Sequence, residues 1–393
     1  MPIEKLSTTT DMNEFENIRC YDTEDMRPVF EELLADEAFL GVVKSLYGDV
    51  PFEALKEKLL SCTDILDFQK KFIYPLVGGV MAKASDGLDT DTGSVRPENM
   101  PCTFISNHRD IVLDSALLSE QLVELGFPTT VEIAIGDNLL IHPWIKHVVR
   151  LNKAFIVQRS LGLRETLLAS QQMSRYMHHV IRDKKNPIWI AQREGRAKDS
   201  NDRTQESVLK MLAMGGADGN VLESIREMNI VPLTISYEYD PCDFLKAKEF
   251  QLKRDDPEYH KSRQDDLDNM RTGIMGYKGR VHYCMCRPVN EWLDELEGMP
   301  KGRFFEELAR RIDIEIHRGY RLFPSNYIAR DLLAGGVKPG KDYTEADVRK
   351  FEAYLAQQMS RIELPAPDTE FLRERMLTMY ANPLRNYEEA LAV

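Results

Sequence analysis

The chain has 393 residues, 43% of them apolar and 29% charged, with 51 lysines and arginines against 64 aspartates and glutamates for a net charge of −13. That composition excludes a disordered, collagen-like or disulfide-scaffold protein, and at roughly 150 residues per domain the length allows two domains. No apolar run approaches the roughly 18 to 20 residues that span a bilayer, and the opening MPIEKLSTTTD lacks secretory or transit features, so a cytoplasmic protein is expected.

Up to about residue 85 the pattern is helical. Pro28 can open a helix with Val29, Phe30, Leu33 and Leu34 at helical spacing, and Pro51 another with Phe52, Leu55 and Leu59. A third, capped by Thr63 or Asp64, carries Ile65, Phe68, Phe72 and Ile73 toward Pro75. These predict a small helical domain over residues 1–90. The stretch Ser85 to Pro101, rich in Gly, Pro, Ser, Thr and Asp, reads as a linker.

Beyond it, short apolar runs alternate with helical patterns: Thr103 to Ile105, Val131 to Ile135, Ala154 to Val157, Ile188 to Ala191, Ile230 to Ser236 and Val281 to Cys286. Strands separated by helices predict an α/β fold over residues 91–393, with a central, largely buried mixed sheet flanked by helices. Pro232 shapes the start of its strand. The last part turns helical again, with Phe304, Leu308, Ile312 and Ile316 four apart and a Thr344-Glu345-Ala346-Asp347 capping box before another amphipathic segment.

Of six scattered cysteines, the one close pair is Cys284-Met285-Cys286, one residue short of a zinc or redox CxxC. Positions two apart on a strand share a face, so these are read as core side chains, with reduced thiols and no metal. Charge is uneven. From Ile141 to Arg203 there are 13 lysines and arginines against 5 acidic residues, a local balance of +8 that leaves −21 for the rest. Such an island suits an anionic ligand and would draw in an acidic carrier or a lipid surface; it is equally a solvated basic face with no ligand. Aromatics do not interleave with these charges, which sets nucleic acid aside. Within the island, His178-His179 reads as solvated surface, and Trp144, Trp189 and Met211 to Met214 as core or acyl-pocket lining.

The richest segment is Phe104-Ile105-Ser106-Asn107-His108-Arg109-Asp110-Ile111-Val112-Leu113-Asp114. A histidine just past a strand end, with carboxylates two and six positions on, puts an imidazole and a carboxylate in one strand-to-helix turn; one ring nitrogen can be oriented while the other takes a proton from a hydroxyl. His108-Arg109-Asp110 matches the protein-kinase triplet, but position 115 is Ser and neither a Gly-rich loop nor a DFG follows the kinase order. Two later strands end in cations: Asn152 to Arg159, and Ile188-Trp189-Ile190-Ala191-Gln192-Arg193-Glu194-Gly195-Arg196-Ala197-Lys198. Arg159 and Arg196 are either ligand-binding or surface residues pairing with Asp199 or Asp202.

Together with Ile230 to Tyr237, these blocks resemble the glycerolipid acyltransferase family, and Ile105 to His108, Gly136-Asp137 with His142-Pro143, and Ile188 to Ala191 are most similar to the soluble plastid-type glycerol-3-phosphate acyltransferases. The resemblance covers roughly residues 100 to 290. It implies transfer of a fatty acyl group from acyl-coenzyme A or acyl carrier protein to glycerol-3-phosphate, or alternatively to a 1-acyl lysophospholipid, with no other cofactor. His108 falls on the general base and Asp114 on the carboxylate that orients it. The family separates these two by four residues and this chain by five, so either the turn carries an extra residue or Asp110 orients His108; Asp114 is placed first. Arg159, Arg196 and Lys198 fall on phosphate-binding cations, as suits charge-assisted recognition of phosphate. Glu194 and Gly195 form the third-block turn, where Arg193 replaces the usual proline. Transient contact with the cytoplasmic face of a membrane is expected. From another class, a catalytically silent lipid or acyl-carrier binding module would keep the same fold.

Overall fold

In the computed structural model, which describes residues 12–48, 51–140, 142–159, 161–216 and 219–393, seven strands build one mixed sheet: β1 (Leu88–Asp91), β2 (Thr103–Ser106), β3 (Glu132–Gly136), β4 (Ala154–Val157), β5 (Ile188–Ala191), β6 (Ile230–Tyr237) and β7 (Val281–Met285). The spatial order is β1-β7-β6-β2-β5-β3-β4. From β6 to β4 every neighbour is parallel, so the carboxyl ends of β2, β3, β4 and β5 open on the same edge. β7 runs antiparallel to β6 and carries β1 parallel to itself. All six strands expected from the apolar runs are present. β1 lies inside the stretch read as linker, where alternating Asp residues mask it: Leu88-Asp89-Thr90-Asp91 is a half-exposed edge strand with polar side chains outward. The opening segment MPIEKLSTTTD lies outside the described residues.

Side chains alternate across the sheet, and each face has its own core. On one face Ile105, Phe155, Ile188 and Ile190 pack against Tyr176, Leu209, Leu308 and Ile312 from the helices Leu163–His179, Glu206–Leu212 and Lys301–Arg318. On the other, Phe104, Ile133, Trp189, Leu233 and Tyr283 pack against Leu113, Leu117 and Leu122 of the helix Leu113–Glu124. β2 is buried along its whole length, at the centre of both layers.

The expected N-terminal helices form at Met26–Ala35, Phe52–Leu60 and from Ile65, where Asp64 supplies the cap by accepting from the Asp67 amide. A further helix, Glu37–Tyr47, opens at Asp36. Helical structure does not stop at Pro75: a wider turn over Gln69–Ile73 precedes the helix Tyr74–Ala84, whose first turn accepts a proline without losing a hydrogen bond. Val29, Phe30, Leu33, Leu55 and Phe68 share a core with Leu151, at the end of the helix Pro143–Leu151. The C-terminal helices Pro324–Leu333, Glu345–Met359 and Thr369–Leu391 share another, and the Thr344–Asp347 capping box forms as its sequence requires.

Candidate active site

The turn after β2 is built from side-chain hydrogen bonds. Asn107 donates from Nδ2 to the Ile235 carbonyl at 2.9 Å and accepts from the Ile235 amide at 2.8 Å, extending the β2–β6 ladder by one side-chain rung. Asp110 Oδ1 accepts from the Val112 and Leu113 amides at 2.9 and 2.8 Å, an Asx-type turn that takes up the additional residue between His108 and the helix. Asp114, in the first turn of that helix, points back toward β2. Its Oδ2 accepts from His108 Nδ1 at 2.7 Å, from the Arg109 amide at 2.6 Å and from the Asp110 amide at 3.0 Å. Among the described residues no hydrogen bond joins Asp110 to His108, so of the two candidate orienters Asp114 is the one in contact.

An ionised carboxylate only accepts, so the His108 Nδ1 atom carries the proton and Nε2 is left for a substrate. The helix N-terminus favours the negative charge on Asp114. Beneath the imidazole lies Trp189, edge-on at 5.5 Å between centroids, its Nε1 donating to Ser106 Oγ at 3.0 Å. Stiff packing below and a fixed Nδ1 leave the ring little freedom.

His108 lines a cavity of about 500 Å³ at the carboxyl ends of the strands, a usual place and size for a ligand site in such sheets. Its lining includes apolar side chains, Ile111, Val112, Ile133, Ile135 and Val149, and a set of cations, Arg159, Arg193, Arg196, Lys198 and Lys261. A second cavity of about 440 Å³ shares Gly136, Arg159 and Ala191 with the first; Ile156, Ala169, Met173 and Met211 line it together with Gln158, Ser170, Gln172 and Gln205.

The cations differ in what they already hold. Arg159 donates its backbone amide to the Asp137 carboxylate at 3.2 Å, and its guanidinium lies across Gly136; the nearest ion-pair oxygen, Glu194 Oε1, is 4.0 Å away. Arg196 reaches the Arg109 carbonyl at 3.3 Å and Asn269 Oδ1 at 3.4 Å, and has no ion pair among the described residues. Lys198 is paired with Glu249, which also takes Lys253 at 3.2 Å, so its charge is largely answered within the protein. Gly195 turns at φ +66°, in the left-handed region that favours glycine. Glu194 is 75% exposed and offers its carboxylate to solvent rather than to His108.

Three sequence readings change. Arg196 pairs with neither Asp199 nor Asp202; Asp202 is held by Arg109. His178 is not solvated surface but buried, with Nδ1 2.5 Å from Glu227 Oε2 and Nε2 2.8 Å from the Leu212 carbonyl, because the helix places it against the 206–212 helix. Nor is the 141–203 island a free basic face: Arg175 pairs with Glu14, Lys184 with Glu132 and Asp22, and Arg203 with Glu389, carboxylates drawn from distant parts of the chain. Trp189 and Met211 do line cavities. The two close cysteines, Cys284 and Cys286, are free, with Cys286 buried and Cys284 half-buried. Asn107 and Tyr237 stand in blocks that the sequence marks but carry no role there, and Tyr283 and Asn269 are not singled out; their partners lie on elements far along the chain, and no local pattern reveals them.

Residues 90–236 match the family model described as Acyltransferase, and the protein is accordingly an O-acyltransferase. No curated protein sequence matches the chain. Among solved structures, the chain is similar to the crystal structure of the 1-acyl-sn-glycerophosphate (LPA) acyltransferase, PlsC, from Thermotoga maritima, at 14% identity over 73% of this chain and 95% of that one, with a TM-score of 0.33. Among the described residues no helix is long and apolar enough to cross a membrane.

Proposed function

We propose that this O-acyltransferase is a glycerolipid enzyme that moves a fatty acyl group from a thioester, acyl-coenzyme A or acyl carrier protein, to a hydroxyl of glycerol-3-phosphate. The observation that carries this reading is the 2.7 Å contact of His108 with Asp114 beside a cavity lined by both apolar and cationic side chains. His108 Nε2 takes the proton of the acceptor hydroxyl as its oxygen attacks the thioester carbonyl; the C–S bond then breaks and the departing sulfur receives that proton. Asp114 holds the imidazole in the required tautomer and stabilises its charged form. Arg159 and Arg196 bind the acceptor phosphate, since the ion-pair oxygen of Arg159 is 4.0 Å away on an exposed glutamate and Arg196 has no ion pair among the described residues, with Lys198 in a lesser role. The proposed catalytic unit is residues 91–393, joined by the rest of β1 from Leu88; before it, the helices Met26–Ala35, Phe52–Leu60 and Ile65–Phe68 pack on the 143–151 helix. No further cofactor is required by this chemistry.

A 1-acyl lysophospholipid is the second reading, favoured by the second cavity, where Ile156, Met173 and Met211 would give an acceptor chain apolar contact. Purified protein offered glycerol-3-phosphate or 1-acyl-glycerol-3-phosphate, each with acyl-coenzyme A and acyl carrier protein, decides between them. The expected result is ester product that falls at least a thousandfold in His108→Ala, in line with loss of a general base and its positioning. Product formation unchanged in that variant would overturn the assignment of the base, and thioester binding without turnover by the wild type would favour a silent binding module.

A further inference from the structure

The reversal of β7 against β6 brings two phenols to one residue. In the antiparallel register Tyr237 faces Val281 and Ile235 faces Tyr283, so Tyr237 and Tyr283 stand two positions apart on the same face of neighbouring strands. That face meets the first turn of the 113–124 helix. Tyr283 Oη donates to the Asp114 carbonyl at 3.0 Å, and Tyr237 Oη donates to Asp114 Oδ1 at 3.1 Å.

The two carboxylate oxygens are therefore served unequally. Oδ2 accepts from three donors, His108 Nδ1 among them. For Oδ1 the Tyr237 hydroxyl is the donor found among the described residues. We propose that Tyr237 is a positioning residue for the acyl-transfer reaction: its hydroxyl fixes the Asp114 rotamer and withdraws charge from the carboxylate, which sets how strongly Asp114 pulls on the His108 ring and thus how basic Nε2 is. Tyr283 anchors the backbone of the same residue, and its hydroxyl also bonds that of Tyr237, so it belongs to the same cluster. The proposal rests on the reading of His108 as the base.

The chemistry gives the direction. A carboxylate in a buried site that loses a neutral donor concentrates its charge and stabilises an imidazolium beside it more strongly. Burial and the adjacent Asp114 hold the Tyr237 phenol well above its ordinary range, so it stays a donor at any working pH. The other groups facing this pair are Arg109 and Asp110 in the turn, Tyr283 on β7, Lys278 ahead of β7 and Arg196 after β5. All of them are unchanged in a Tyr237 variant, so a comparison with wild type isolates the phenol.

The test is Tyr237→Phe, with Tyr176→Phe as the control that loses a buried hydroxyl, bonded to Glu132 Oε2 at 2.6 Å, away from Asp114. In Tyr237→Phe the acid limb of the kcat/KM profile moves up by about half to one pH unit, the equivalent of one net hydrogen bond. At the same time kcat falls, KM for the acceptor holds within about twofold, and the His108 Nδ1 proton resonance moves downfield. Tyr176→Phe lowers the melting temperature and leaves limb and resonance in place. A folded Tyr237→Phe with limb and resonance unmoved overturns the proposal. Should Tyr237→Phe not fold, replacing Tyr237 by a ring-fluorinated tyrosine, a stronger donor, must move both readouts the opposite way. Because the resonance needs no turnover, failure of the acyl-transfer reading is told apart from failure of this one.

Discussion

Arg109 and Asp202 form a buried ion pair directly behind the His108 turn, Nη2 to Oδ2 at 2.6 Å, with the two side chains 6% and 1% exposed. Asp202 also accepts from Tyr320 Oη at 2.6 Å through Oδ2 and from His317 Nε2 at 2.9 Å through its carbonyl. The loop after β5 is thus tied both to the residue following the proposed base and to the end of the 301–318 helix. Removing one partner of such a pair leaves the other charge buried and unanswered. Asp202→Ala is expected to cost about 3 to 5 kcal/mol in denaturant unfolding, and Arg109→Met combined with Asp202→Leu distinctly less, because no charge is then stranded. A double variant as unstable as the single one would show that the pair acts by more than mutual neutralisation.

Gly136 and Arg159 make a sharper test of the cations that line the cavity. A Cβ built on Gly136 meets Arg159 Nε at 2.7 Å and Asn138 Oδ1 at 2.5 Å, so alanine there must push the guanidinium off the strand end. If Arg159 binds the acceptor phosphate, Gly136→Ala and Arg159→Ala both raise KM for the acceptor about tenfold or more, as loss of one charge-assisted contact implies, with a smaller effect on kcat. Steady-state kinetics with a non-limiting donor measures this. A normal acceptor KM in Arg159→Ala would move the phosphate to Arg193 and Arg196.

Much of this organisation was legible in the chain because it is local. The six predicted strands are short apolar runs bounded by turn residues, and the Thr344–Asp347 box and the Phe304 to Ile316 stripe are complete within a few turns. His108 and Asp114 lie in one turn, so their contact needs no knowledge of the fold. What stayed hidden depends on pairing across the chain. β1 has too few apolar residues to register as a strand until β7 pairs with it. His178 looks polar among Arg175 and Arg182, yet Glu227 answers it from 49 residues away. The basic island is thinned for the same reason, since net charge over a window ignores the carboxylates the fold delivers to Arg175, Lys184 and Arg203, while Arg193 and Arg196 have no ion pair among the described residues and line the cavity.

Acid–base linkage gives a prediction for the same loop. Asp313 on the 301–318 helix accepts from the Thr204 amide and Oγ1 at 2.8 and 2.6 Å, and burial pushes its carboxyl up to about 6 from an ordinary value of 3.8. With the folded value raised, the native state binds the proton more tightly than the unfolded chain. Its stabilising effect is therefore fully present below about 3.8 and is lost as pH rises through about 6. Asp313→Asn keeps an acceptor oxygen for Thr204 and does not ionise. Between pH 4 and pH 7 the variant should gain on wild type by about 2 to 3 kcal/mol in urea unfolding. Parallel stability curves for the two proteins over that range would place the charge elsewhere.

The 163–179 helix turns two faces to different surroundings. Thr166, Ala169 and Met173 line the second cavity, while Leu167 and Leu168 are 50% and 56% exposed, with Arg164 on the same face and Leu161, 37% exposed, just before the helix. Exposed leucines beside an arginine on a helix that also lines a cavity suit an anionic lipid surface. Burying one leucine in lipid contributes about 1.5 to 3 kcal/mol. Leu167→Ser with Leu168→Ser is therefore expected to weaken flotation with vesicles of phosphatidylglycerol and phosphatidylcholine by at least about tenfold, while turnover of a short-chain soluble donor with glycerol-3-phosphate stays unchanged. Equal flotation of the two proteins would remove this face from membrane contact, and lost turnover on soluble substrates would mean the leucines support the cavity itself.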